Sequence, residues 1–211
     1  MNSLVPDLTL TVEAAASSEK SATPEIVFNL KIESRPQLAI QTILLHCQIQ
    51  LAVPQRGYNA GEQQALVELF GTRDQWSRTL RRIVWANINL IVPGFTGSTV
   101  VDVHVPCTFD FNIAATKYFA ALAKGEVPLS FYFNGTTFYL DEDGQLKVTP
   151  ISWEKESHFA MPAQVWHDMM ELHYQNFAWL CLRRDVFDKL RHYKANRGLA
   201  TFEDALEDAI R

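Results

Sequence analysis

The stretch TILLHCQIQLAV, residues 42–53, sorts its side chains two by two. Ile43, Leu45, Cys47, Ile49, Leu51 and Val53 fall on one side; Thr42, His46, Gln48 and Gln50 fall on the other. A period of two belongs to a β-strand with one face on a core and the other toward solvent or a partner. A helix would scatter the same residues around its axis. The pattern recurs at Ile26, Phe28, Leu30 and Ile32, and again from Thr99 to Val105. Leu8–Val12 and Ile83–Val92 also read as strands. PLSFYF, TTFYL and two shorter runs up to Phe159 complete about eight short strands.

The connections are short, which favours antiparallel pairing. The small, polar run AAASSEKSATP, residues 14–24, reads as a loop, and Arg35-Pro36 as a break. Asn134-Gly135-Thr136 matches a glycosylation sequon, but its composition reads as a turn. Ala60–Phe70 has the makings of a helix ended by Gly71. Asn112–Lys124 has helical spacing, with Asp110 or Asn112 as the cap and Gly125 as the stop. The expected fold is therefore α+β. It consists of an antiparallel β-sandwich with inserted helices over residues 1–160, followed by a C-terminal helical segment over 161–211.

With 47% hydrophobic and 20% charged residues, the 211-residue chain can build an ordinary globular core. Its net charge of −5 argues against broad binding to a phosphate backbone, so nucleic acid is not the favoured partner. Cys47, Cys107 and Cys181 form no C-x-x-C pair, and an odd count suits buried thiols in a reducing compartment. The first residues lack the basic start and apolar run of a secretory signal, and no apolar stretch is long enough to span a bilayer. These features lead to the expectation of a cytoplasmic protein without a membrane partner.

No stretch carries a catalytic signature. In IVPGFTGSTVVDVHVPCTFDF, Gly94 and Gly97 make neither G-x-G-x-x-G nor a P-loop, and a strand follows at once where a helix is needed. PGFTGS therefore reads as a hairpin connection whose tip presents Phe95 to a partner. His167 and Glu171 in HDMMELH have i, i+4 spacing, but His173 falls on another face, so a metal would need ligands from elsewhere. His104 and Cys107 are three apart on an extended run and so face opposite ways. DEDG lacks the ligand ladder of a calcium loop. No catalytic, cofactor or metal residue is assigned.

The last stretch, WLCLRRDVFDKLRHYKANRGLATFEDALEDAI, combines an extended run with two helices. The first helix is capped near Asp185 and stopped at Gly198; the second opens with a capping box of Thr201 and Asp204. Val186, Leu190 and Tyr193 mark the inner side of the first. Phe202, Leu206, Ala209 and Ile210 mark that of the second. This order resembles a ribbon-helix-helix module over about the last 32 residues. The resemblance implies a homodimer through this segment, with Trp179, Cys181 and Arg183 facing outward. Trp and Cys are poor readers of base edges, so association fits them better than DNA.

VPGFTGST, VPCTFDF, AATKYFAAL, GEVPLSFYFNGTTF and WLCLRRDVFDKL together resemble a bacterial protein family of unknown function. Its members are often encoded near uptake-hydrogenase genes. The resemblance implies a bacterial cytoplasmic protein in an accessory role, with a hydrogenase system as one setting, and it implies no catalytic residues. The leading expectation is a non-enzymatic interaction or accessory protein with a protein partner, touching it through Phe95, Trp179, Cys181 and Arg183. The alternatives are a DNA-binding regulator that uses the tail, and a metal protein or enzyme built from His46, His104, Cys107 or the His167/Glu171 pair.

Overall fold

The structure is a computed structural model that describes residues 4–108, 110–175, 180 and 182–211. The chain divides into two compact units, Met1–Gln175 and Asn176–Arg211.

Eight strands build the first unit: β1 (Asp7–Ser17), β2 (Glu25–Arg35), β3 (Ala39–Leu51), β4 (Ile83–Thr96), β5 (Ser98–Pro106), β6 (Glu126–Leu140), β7 (Leu146–Ile151) and β8 (Glu156–Pro162). They form two antiparallel sheets. One runs β1-β2-β5. The other runs β4-β3-β6-β7, with β8 also paired to β6. The 15-residue β6 serves two neighbours in turn, β8 along Glu126–Tyr132 and β7 along Gly135–Leu140. The fold is an α+β sandwich, as the period-two runs require.

The core lies between the sheets. Ile26, Phe28, Leu30 and Ile32 of β2 face Ile43, Leu45, Cys47, Ile49 and Leu51 of β3, together with Phe131 and Phe133 of β6. Phe28 sits at the centre, edge-on to Trp85, Phe131 and Phe159 at centroid distances of 5.9, 5.1 and 6.2 Å. Such edge-to-face contacts add specificity to the burial of large rings.

Several strands run further than local composition predicts. β1 continues through Ala14–Ser17, because a register shift after Val12 keeps these small residues paired with Ile26–Asn29. Asn134-Gly135-Thr136 is not a turn but the middle of β6, so PLSFYF and TTFYL are one strand. Gly135 adopts φ 150°, and a Cβ there would sit 2.1 Å from the Leu44 carbonyl oxygen. Glycine is present for a close approach between strands, not for a reversal.

PGFTGS is not a hairpin either. β4 pairs with β3 and β5 pairs with β2, so the chain crosses from one sheet to the other at Gly97 (φ 77°). The Ser34 N–H donates to the Gly97 carbonyl at 2.8 Å and ties the corner to the end of β2. Periodicity alone reports that two strands are adjacent in sequence, not that each buries its apolar face in a different sheet.

The short helices α1 (Ala60–Ala65), α2 (Val67–Phe70) and α3 (Trp76–Thr79) lie between β3 and β4, and α4 (Ile113–Ala120) follows β5. Asn112 caps α4 by accepting from the Ala115 N–H at 3.0 Å, while its amide donates to the Val84 and Trp85 carbonyls. α5 (Ala163–His173) packs through buried Trp166 and Met169, with Trp166 stacked on Phe119 at 4.6 Å. That burial assigns α5 to the sandwich, where sequence alone drew a boundary at 160.

The second unit is a helical hairpin of α6 (Arg184–Asn196) and α7 (Phe202–Ile210). The Thr201–Asp204 capping box is formed. The α6 N-cap is Arg183 rather than Asp185, and it makes no side-chain cap bond; Asp185 sits in the first turn. Phe187 meets Phe202 at 5.3 Å, and the Tyr193 hydroxyl donates to Asp208 at 2.6 Å. Ala205 is the buried residue of α7, whereas Ile210, expected inside, is 83% exposed. Ala205 and Ile210 are five positions apart, about 140° around the helix axis, so burying one turns the other away.

Candidate functional site

β4, β3, β6 and β7 lie side by side, and their registers place the outward residues in rows. Ile91, Leu44, Thr136 and Pro150 form one row; Pro93, Thr42, Phe138 and Val148 form the next. Leu140 and Leu146 extend the second toward the β6–β7 turn. Ile91 is 72% exposed, Leu146 60%, Val148 58% and Leu44 47%. Alternation forces this placement, because Ile43, Leu45 and Thr137 take the inward positions between them.

The other half of the face is polar without being charged. His46 Nδ1 lies 2.8 Å from Asn89 Oδ1, Gln48 donates to Asn87 at 3.1 Å, and Gln50 donates to Gln48 at 2.7 Å. A shallow depression of about 350 Å³ lies over Leu44, His46, Asn89 and Ile91. The outward positions of β4, β3 and β7 include no Lys, Arg, Asp or Glu, and on β6 the charged one is Glu126, at the end of the strand that pairs with β8. Arg82, which donates to the Tyr132 hydroxyl at 2.5 Å, and Glu156 on β8 stand at the border. An exposed surface that is apolar at one end and carries amides at the other, with its charges confined to the border, has the composition of an interface core.

A second cluster is buried. Arg56 and Glu62 pair at 2.8 Å with side chains 9% and 4% exposed. Glu62 also closes a capping box with Asn59 and accepts from the Ala123 N–H. Arg56 donates to the carbonyls of Gly57, Lys124 and Glu126. The Tyr58 hydroxyl lies 2.8 Å from that of Tyr118 and donates to the Val53 carbonyl. Hydrogen bonds from Arg56 hold the Glu62 carboxyl below its usual range, and burial pushes both tyrosines up. Perturbed groups often mark active sites, but here every polar atom of the pair is spent on backbone or on its partner, which makes the cluster a clasp. The N-A-G-E spacing at residues 59–62 was the signal in sequence for half of it.

The residues singled out from sequence are dispersed. Phe95 stands opposite Ile40 on the inner face, half-buried against the core, and so is not presented at a tip. Arg183 is exposed and pairs with Asp185 at 3.1 Å. Trp179 and Cys181 lie outside the described residues, and Leu180, Leu182 and Arg183 beside them are not in a strand. His46 is on the outer face of one sheet. His104 is on the other sheet, 3.2 Å from Glu25. His167 donates to the Leu122 carbonyl at 2.8 Å and is thus committed to joining α5 to the end of α4. Among the described residues no three His, Cys, Asp or Glu side chains are gathered as a metal ion requires.

Cys47 and Cys107 are buried, and burial pushes both thiols up to about 12. With Cys181 replaced by serine, a thiol reagent at pH 8 should label neither cysteine in the folded protein and both after unfolding. Fast labelling of the native chain would contradict this packing.

A family model described as a family of unknown function, DUF6084, matches residues 5–211. The chain belongs to DUF6084. No curated protein matches this DUF6084 chain. Among solved structures it is similar to the CARDB domain of a Pyrococcus furiosus protein, at 10% identity over 74% of this chain and 91% of that one, with a TM-score of 0.28. It is also similar to a putative ApaA protein from Bordetella pertussis, at 16% identity over 74% and 94%, with a TM-score of 0.26. A third similar structure is β-glucosidase 3B from Thermotoga neapolitana, at 8% identity over 74% of this chain and 17% of that one, with a TM-score of 0.25. The fold of this DUF6084 member accordingly rests on its own strand pairing.

Proposed function

We propose that the protein is a non-catalytic interaction module that holds a flat, largely uncharged surface of a partner protein on the outer face of its five-stranded sheet. The observation that carries this reading is the two adjoining rows of outward apolar side chains, Ile91 and Leu44 in one and Phe138, Val148 and Leu146 in or beside the other, on the part of the face away from Glu126 and Glu156. One residue in five of the chain is charged, whereas these rows on β4, β3 and β7 and the adjoining part of β6 carry none. Burying it would release apolar area without stripping water from ions. The resemblance to proteins encoded beside uptake hydrogenases makes a hydrogenase accessory protein the first partner to test.

The test is quantitative co-purification from the native host with three chains: wild type, the double variant Leu44→Lys/Ile91→Lys, and Val100→Lys. Val100 is equally exposed, at 54%, but lies on the other sheet. All three positions face solvent, so melting temperatures should stay close to wild type. A partner held on this face should be retained by wild type and Val100→Lys and depleted more than tenfold with the double variant. Retention by all three chains would place binding elsewhere, and no specific partner for wild type would refute the module.

A further inference from the structure

Arginines crowd the approach to β4. Arg73, Arg78, Arg81 and Arg82 fall within ten residues and are all exposed, and Asp74 is the one acidic residue from Gly71 to Arg82. None of these arginines makes an ion pair among the described residues. On a chain of net charge −5, such a group of uncompensated cations is a local reversal of the field.

The segment that carries them is pinned. Trp76 Nε1 donates to the Gly71 carbonyl at 3.0 Å, and the ring stands edge-on to Tyr58 at 5.4 Å. Thr79 Oγ1 donates to the Phe70 and Gln75 carbonyls, and Arg81 Nε to the Arg78 carbonyl. Side chains on a fixed backbone lose less freedom when they bind. Strand pairing also fixes where the cluster lies. Val84 is opposite Gln50, Gln50 is opposite Ser130, and Arg82 reaches the Tyr132 hydroxyl two residues along β6. The arginines thus adjoin the amide end of the outer sheet face.

We propose that this cluster docks an acidic segment of the partner protein, a short run of Asp and Glu side chains beside the uncharged surface that the outer face holds. The inference rests on the interaction-module reading for where the partner sits, and adds what that partner carries. Guanidinium forks take carboxylates by two parallel hydrogen bonds. Phosphates fit the same forks, but a nucleic-acid duplex carries a negative charge about every 1.7 Å along its axis. It would run on from the arginines toward Glu156, opposite Tyr132, or onto a face with no cation to meet it. A short acidic segment ends where the arginines end. Charges at the edge of an interface steer the encounter and select the partner.

The probe is a short poly-glutamate peptide, with the arginine Nε–Hε NMR signals of the whole chain as the readout. Saturable shifts are expected at Arg78, Arg81 and Arg82, and they should weaken as salt rises. Arg78→Glu/Arg81→Glu should bind the peptide at least about tenfold more weakly. Both positions are exposed, so its melting temperature should stay near wild type. Leu44→Lys/Ile91→Lys should bind the peptide as wild type does. In co-purification from the native host, Arg78→Glu/Arg81→Glu should deplete the partner about tenfold. The inference is overturned if poly-glutamate gives no saturable shifts, or if a DNA duplex or phosphatidylserine vesicles of equal charge bind at least as tightly. It is also overturned if Arg78→Glu/Arg81→Glu retains the partner as wild type does, a result that would leave the outer-face reading intact.

Discussion

Replacing Arg56 by alanine while Glu62 stays in place is expected to cost about 3–5 kcal/mol of stability, because it leaves a buried carboxylate without its counter-ion. The pair is almost wholly out of water, and Arg56 also holds the carbonyls of Gly57, Lys124 and Glu126. Urea unfolding of wild type, Arg56→Ala and the double variant Arg56→Met/Glu62→Leu tests this directly. The double variant should lose much less than the single one, since no charge is then left stranded. Equal losses would mean that packing, not charge, sets the cost.

The same pair fixes a pH dependence. Glu62 is held below its usual range, first by Arg56 and then by the Asn59 N–H, against the opposing effect of burial. A depressed carboxyl contributes stability that is present above its unfolded value, about 4.3, and is lost as pH falls through the lower folded value. Stability should therefore drop below about pH 4.5 in wild type. Glu62→Gln should start lower at pH 7 and show a flatter acid limb.

Gly135→Ala should be among the most damaging single-methyl changes in the chain. The added Cβ would stand 2.1 Å from the Leu44 carbonyl oxygen, which belongs to the backbone of the central strand and has no flexible end to move aside. Its φ of 150° is also one that L-residues rarely adopt. β3 and β6 would have to separate where both bury their inner residues, so a loss of about 3 kcal/mol or more is expected from clash and strain together. Gly144→Ala is the control. It also has a positive φ, 74°, but lies at an open turn with no atom within 4 Å. It should cost only about 1 kcal/mol, the strain of a left-handed position. Comparable losses at the two sites would show that conformation, not the close approach, makes Gly135 necessary.

Much of this architecture was legible in the residues. The alternation at Ile43–Leu51 and Ile26–Ile32 determined which side chains form the core, because a strand has only two faces and only one was apolar. Thr201–Asp204 announced its helix start, and Asn112 was one of the two caps the spacing offered for α4, since a cap is settled within four residues. What depends on local chemistry alone was determined by sequence.

Pairing was a different matter. Gly97 between two β-runs and Gly135 after an asparagine both look like reversals, and each was decided by a strand far away: β2 for the corner, β3 for the close approach. Phe95 looked like a tip residue until Ile40 was found opposite it. The apolar stretch of the outer face could not be seen either. It exists only when Ile91, Leu44, Phe138 and Val148, spread over a hundred residues, are brought into register, and each alone is an ordinary exposed residue of its strand. The Arg56–Glu62 clasp likewise arises from burial, which is a property of the assembled chain. Sequence by itself determined most of the strand runs, their inner faces and the capping box of α7. Tertiary structure alone decided the order of the strands and the surfaces they present, because hydrogen-bond partners across a sheet carry no local signal.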